Sequence, residues 1–185
     1  MFTIENFEER WNNEFPEIVE YDSEIVDGLE ISEESKNFLK KYGLPDEAPG
    51  YLIFKPFEDE NTVSLASICD GKAEYEKYIS LGCDGGGLPV CIEKNTGNIC
   101  IIDIYENTEP VFINSSLIQL AESMVLYSEF INRIIEINGE DAYLDGDADD
   151  ESLEWIRDSL EETDTSSLGD GTFWDLELSD FTEEE

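Results

Sequence analysis

The sequence has no histidine, and only 10 lysines and arginines stand against 47 aspartates and glutamates. Without imidazole the chain lacks the commonest general base and the commonest transition-metal ligand, and nucleophile–histidine dyads and triads are excluded. The shortage of cations makes nucleic acid a very poor ligand, because phosphate binding needs a positive surface. A formal net charge of -37 makes an anionic membrane repellent for the same reason. No apolar run approaches the length of a bilayer span. The N-terminus, "MFTIENFEERWNNEF", lacks the basic and apolar regions of a secretory signal, so a cytoplasmic chain is expected. The spacings of Cys69, Cys83, Cys91 and Cys100 match no zinc pattern, and the four read as small reduced thiols packed in apolar surroundings.

What is present is a core. The 185 residues are 40% hydrophobic and 11% aromatic, enough for one ordinary domain despite the charge. The charge itself has two readings: solubility or salt adaptation, and long-range capture of a basic partner.

Along the chain, Thr3 can cap a first helix bearing Ile4, Phe7, Trp11 and Phe15, which Pro16 ends. Ser32 can cap a second helix presenting Phe38, Leu39 and Tyr42, with Gly43 as its stop and a proline-rich loop leading to a strand near Tyr51 to Lys55. "TVSLASIC" has strand propensity, Asp70-Gly71 a turn, and Tyr78, Ile79 and Leu81 favour another strand. "LPVCIEK" and "NICIIDIYE" form the clearest hairpin, turning at Asn95-Thr96-Gly97, and "PVFIN" adds a short strand.

Asn114 or Ser115 then caps the longest helix, about 116–137. On it Leu117, Leu120, Ala121, Met124, Ile131, Ile134 and Ile135 face the sheet, while Gln119, Glu122, Glu129 and Arg133 face solvent. Asn138-Gly139 closes it. From Glu140 the chain turns acidic, with one basic residue, Arg157. It still shows an amphipathic helix (Leu153, Ile156, Leu160) and an alternating strand, "TFWDLELSDF". Helices, then strands, then helices predict an α+β fold in one domain, 1–185, with a central, curved, mostly antiparallel sheet and residues 140–185 as its acidic edge. The last few residues are expected to be loose.

Several motifs carry possible chemistry. Gly85-Gly86-Gly87 is followed by Leu88-Pro89-Val90 and a strand, where a phosphate loop needs Lys, Ser or Thr and a helix. These glycines read as a tight bend. "DGDADDESLE" places Asp145, Asp147 and Asp149 like a calcium loop, but its sixth place is Asp150 and its twelfth Ile156, where Gly and Glu are required. Among 47 carboxylates no glycosidase pair stands out, and Asp103 in "CIIDIY" reads as an outward strand residue. Of Trp155 and Trp174, one is expected in the core and the other can anchor an interface. No metal, cofactor or catalytic residue is predicted, so an enzyme is not expected.

The ordered pieces "FLKKYGLPDEAPGYLIF", "YISLGCDGGGLPVCIEKNTGNICIIDIY" and "PVFINSSLIQLAESMVLY" resemble the SUKH superfamily, over roughly Phe38 to Tyr127. The shared features are the helix-GLP element, the "G.D..G" turn into a central hairpin with a "TG" bend, and the "NSS" start of the long helix. The superfamily includes many bacterial immunity proteins, which neutralise toxins, and some eukaryotic regulators of cell-wall synthesis. The resemblance implies an α+β fold with a curved sheet flanked by helices, action by binding, and structural roles for Gly82, Gly85 and Gly87. It implies no catalytic residues.

Two functions follow. The first is a stoichiometric inhibitor of a basic, nuclease-like toxin, acting by occluding its active site. Its expected contact residues are Asp145, Asp147, Asp149, Asp150, Glu154 and Asp158, with Asp84 and Glu106 near the sheet ends as second choices. The alternative is an interaction module or regulator of the same fold with no toxin partner.

Overall fold

The computed structural model describes residues 2–59, 63–69, 71–106 and 109–181. The N-terminal part carries α1 (Phe7–Glu14), β1 (Ile18–Val19), α2 (Ser23–Gly28), α3 (Glu33–Lys41) and the short strands β2 (Leu44–Pro45) and β3 (Glu47–Ala48). The middle carries β4 (Leu52–Phe54), α4 (Leu65–Ile68), a 3-10 turn (Ala73–Tyr75), β5 (Tyr78–Cys83), β6 (Pro89–Glu93), β7 (Ile99–Ile101) and β8 (Val111–Asn114). It ends with α5 (Leu117–Asn138), α6 (Ala142–Asp145), α7 (Asp150–Thr163) and α8 (Phe173–Ser179).

Strands β3 to β8 form one antiparallel sheet in which every strand pairs with its neighbour in sequence. Irregular registers between Ser80 and Gly82 and between Ile99 and Cys100 bend the central strands, since a bulge adds twist and curl. The expected α+β fold, with a curved antiparallel sheet flanked by helices, is what the chain adopts. Val90, Ile92, Ile99, Ile101 and Ile113 face the main core with α5. The opposite face carries a smaller cluster of Cys91, Cys100, Tyr78, Tyr75, Leu65 and Ile102, covered by α4 and the 3-10 turn. Cys91 and Cys100 are thus buried, while Cys69 and Cys83 are half-buried; all four are thiols rather than disulfides.

The glycine run answers to sterics. A Cβ on Gly82 would overlap the Ile53 carbonyl oxygen on β4, and one on Gly85 would lie 2.8 Å from the Cβ of Tyr51. Between them Asp84 Oδ1 accepts from the Gly86 and Leu88 amides at 2.9 and 2.8 Å, closing the β5–β6 turn.

Ser32 caps α3 through the Ser35 amide, as expected, and the hairpin of β6 and β7, the strand β8 and the stop of α5 at Gly139 match the sequence reading. Five expectations are corrected. The first helix starts at Phe7 behind Asn6, not at a Thr3 cap, because the Thr3 amide and hydroxyl turn instead to the carboxylate of Glu122. Glu122 is not in solvent: it is fully buried, and it also accepts from the Ile4 amide at 2.9 Å. The helix is covered on the side away from the sheet, which periodicity alone cannot reveal. Its cap is Ser116, which accepts from the Gln119 amide, rather than Asn114 or Ser115.

"TVSLASIC" contains the helix α4 instead of a strand, with Ser64 at its start making an isolated bridge to Ile79; Thr62 lies outside the described residues. "TFWDLELSDF" is the helix α8, which buries Phe173, Trp174 and Leu178 on one side. The turn assigned to Asp70 and the looseness assigned to the last residues, 182–185, fall outside the described residues.

The acidic segment is fastened to the "NSS" stretch. Fully buried Asn114 accepts from the indole of Trp174 at 2.9 Å and donates to Ser123 Oγ at 3.1 Å. Beside it Asp164, just past α7, accepts from the Ser115 amide at 2.6 Å and the Ser115 hydroxyl at 3.0 Å. Trp174, Ile156, Leu160 and Phe181 belong to the same core cluster as Phe7 and Trp11.

Candidate partner-binding face

The antiparallel register places three loops at one end of the sheet. Ile53 pairs with Cys83, Cys83 with Pro89, and Val90 with Ile101. The start of β4, the β5–β6 turn with Asp84 and the chain after β7 are therefore neighbours in order. Glu106 belongs to that last loop, where Asp103 Oδ1 accepts from the Tyr105 and Glu106 amides at 2.8 and 2.9 Å. Asp103 accordingly sits past the strand as a turn residue, not on its outward face.

Tyr51, immediately before β4, is a non-glycine residue in the left-handed region at φ 58, and it is 62% exposed. Such a conformation costs a bulky residue energy and persists only where surroundings impose it. It stands against a cavity of about 290 Å3 lined also by Tyr127, Tyr143, Leu144, Asp145, Gly146, Glu177, Asp180 and Phe181. Tyr127 is fully buried and donates to Glu177 Oε2 at 3.2 Å. Tyr143 interacts through its hydroxyl with Tyr127 and with the Gly50 backbone.

Glu177 is half-buried, and burial pushes its carboxyl above the ordinary glutamate value; the nearby charge of Asp180 pushes the same way against the Tyr127 hydrogen bond. Burial, helped by Glu177, likewise raises the Tyr143 phenol to about 12. Among the described residues no lysine or arginine lines the cavity.

The expected contact residues divide. Asp145 lines the cavity. Asp150, Glu154 and Asp158 are exposed at four-residue spacing on α7 and form one stripe with Glu151, Glu161 and Glu162. Asp147 is exposed beside α7 and accepts from Asn138 Nδ2 at 2.9 Å. Asp149 is half-buried as the α7 cap, its carboxyl held below the usual range chiefly by the Ser152 hydroxyl. Asp84 is half-buried in its turn, next to Gly85 and hence to Tyr51, whereas Glu106 is exposed two strands further along.

Trp174 is the core tryptophan, while Trp155 is half-buried on α7 with the Arg133 guanidinium 5.8 Å from its ring centre. Sequence reasoning missed Tyr51, Tyr143, Glu177 and Asp180. Reading Thr172-x-x-Asp175 ahead of an apolar run as a helix start would have found α8, and with it the direction of Glu177.

Positive charge is largely committed elsewhere. Arg10, Lys36, Lys40, Lys41, Lys77, Lys94 and Arg133 each lie in an ion pair with a carboxylate. Among the described residues no helix is long and apolar enough to cross a membrane.

Comparison with curated proteins gives no match, and neither does comparison with solved structures. Comparison with protein families matches the SUKH-4 immunity protein family over residues 7–180, from α1 to the end of α8. A match of that extent includes the sheet, the long helix and the acidic C-terminal elements, and on it the chain belongs to the SUKH-4 immunity protein family.

Proposed function

We propose that this protein binds a cognate bacterial toxin with a basic surface and neutralises it by covering the toxin's active site. Membership of an immunity-protein family carries the reading, and the net charge of -37 supports a basic, nuclease-like target. Enzymes that act on nucleic acid need cationic clefts, and a strongly anionic protein is steered to such clefts and fills them. Inhibition would be stoichiometric and would require no chemistry and no cofactor from the chain. The contact face would combine the acidic stripe Asp150, Glu154 and Asp158 with Asp145 and Asp147. Asp84 and Glu106 would flank it at the sheet end, and Asp149 would contribute mainly by holding α7. Nucleic acid and membranes are not partners in this reading.

The test is co-expression with a toxin domain encoded beside this chain's gene. Rescue of growth together with an equimolar complex on size exclusion supports the proposal. Continued killing with both proteins soluble sinks it. The alternative, a regulator of the same fold without a toxin, gains only if no toxin-like frame adjoins the gene.

A further inference from the structure

The cavity beside Tyr51 has the chemistry of a receptor for one organic cation. Its walls offer the rings of Tyr51 and Tyr143, with the buried Tyr127 behind them, and its polar groups are the carboxylates of Glu177, Asp145 and Asp180. Tyrosine faces attract a cation laid against them, and carboxylates accept its N–H groups. No cation among the described residues lines the cavity, so the half-buried Glu177 has no opposite charge within it. Burial holds that carboxyl up, and an incoming positive charge would relieve the penalty.

A bare metal ion fits poorly. Among the described residues no three His, Cys, Asp or Glu side chains converge closely enough to hold one. The space of about 290 Å3 would also hold roughly ten waters by their share of liquid volume, far more than a small ion displaces. A long side chain ending in a planar guanidinium suits it better, since that group both stacks on rings and forks onto a carboxylate. The mouth supports insertion from a protein surface: Tyr51 and Leu144, 62% and 74% exposed, are among the most exposed large apolar residues and stand at its rim.

We propose that this pocket of Tyr51, Tyr143 and Glu177 receives an arginine side chain of the protein partner. The identity of that partner rests on the immunity reading above, but the chemistry of the pocket does not. An arginine anchored here would fix the docking register that a diffuse acidic stripe leaves open, because aromatic pockets filled by arginine concentrate binding energy.

The test is a titration of the whole protein with N-acetyl-arginine amide in about 150 mM salt, near physiological screening, following the ring resonances of Tyr51 and Tyr143 by NMR, with N-acetyl-citrulline amide as neutral control. The expected result is saturable shifts of these rings with the arginine compound alone, weakened about tenfold by E177Q through loss of a charge-assisted bond. The side-chain amide oxygen that E177Q introduces can still accept from Tyr127, so this variant should fold, and a thermal melt checks it. Equal response to citrulline, unsaturable shifts spread along α7, or no effect of E177Q would overturn the pocket. A chain that rescues growth yet shows these outcomes refutes the pocket and keeps the immunity reading. A chain that binds arginine amide at Tyr51 but never rescues growth keeps the pocket and refutes immunity.

Discussion

Removal of the Glu122 carboxylate leaves three donors at the N-terminal segment without their acceptor: the amides of Thr3 and Ile4 and the hydroxyl of Thr3. Two of these bonds are made by backbone that has no helix of its own to fall back on, since α1 begins only at Phe7. E122A should therefore destabilise the protein by about 1–3 kcal/mol, seen as a lower urea midpoint at an unchanged slope. Glu177 has the opposite sign. Its folded carboxyl binds a proton more tightly than the unfolded one, with Tyr127, Tyr143, Asp145 and Asp180 as the ionisable groups around it. Protons bound in the folded state exceed those in the unfolded state in this window, so stability falls as pH rises from the ordinary value of 4.5 through the raised folded value. The variant E177Q should melt higher than wild type at about pH 7, and the gap should close below pH 4.5. A variant that gains stability while losing its partner would mark Glu177 as a residue kept for binding.

At the scale of elements, α7 shows how charge can work against its own helix. Asp150, Glu154 and Asp158 repeat every four residues on one exposed face, and like charges at that spacing repel by about 0.2–0.5 kcal/mol per pair. E154K turns repulsion by Asp150, Glu151 and Asp158 into attraction at the cost of the Glu154–Arg157 pair, and should stabilise the protein by about 1 kcal/mol in thermal or urea melts. If the stripe meets the toxin, the same change slows association; an unchanged association rate would remove the stripe from the contact face. Elements also show where the sequence was legible. Ser32, the Asn95-Thr96-Gly97 turn and the apolar period of α5 signal locally, so α3, the central hairpin and the long helix could be read directly. The segment of α8 deceived because Phe173, Trp174, Leu176 and Leu178 fit period 2 and period 3.6 almost equally over so short a run. Glu122 and the Tyr51 cavity were illegible for a deeper reason. Glu122 meets a segment 119 residues away, and Tyr51 stands more than 70 residues from every other residue that lines its cavity, so no local pattern encodes either meeting.

The whole molecule behaves as a polyanion with most of its few cations tied down in ion pairs. Long-range attraction to a basic partner acts before contact and is screened over about 10 Å at 0.1 M salt. The association rate with the toxin should fall steeply between about 50 and 500 mM salt while the dissociation rate changes far less, as stopped-flow mixing would show. A salt dependence confined to the dissociation rate would mean that charge acts only after docking. The neighbour-to-neighbour sheet carries a different consequence, one of timing. Each strand from β3 to β8 finds its partner next door in sequence, so the sheet needs few distant encounters to assemble, and low sequence separation of partners favours its early formation. If the immunity reading holds, a sheet that zips in chain order shortens the interval before a newly made chain can meet its toxin.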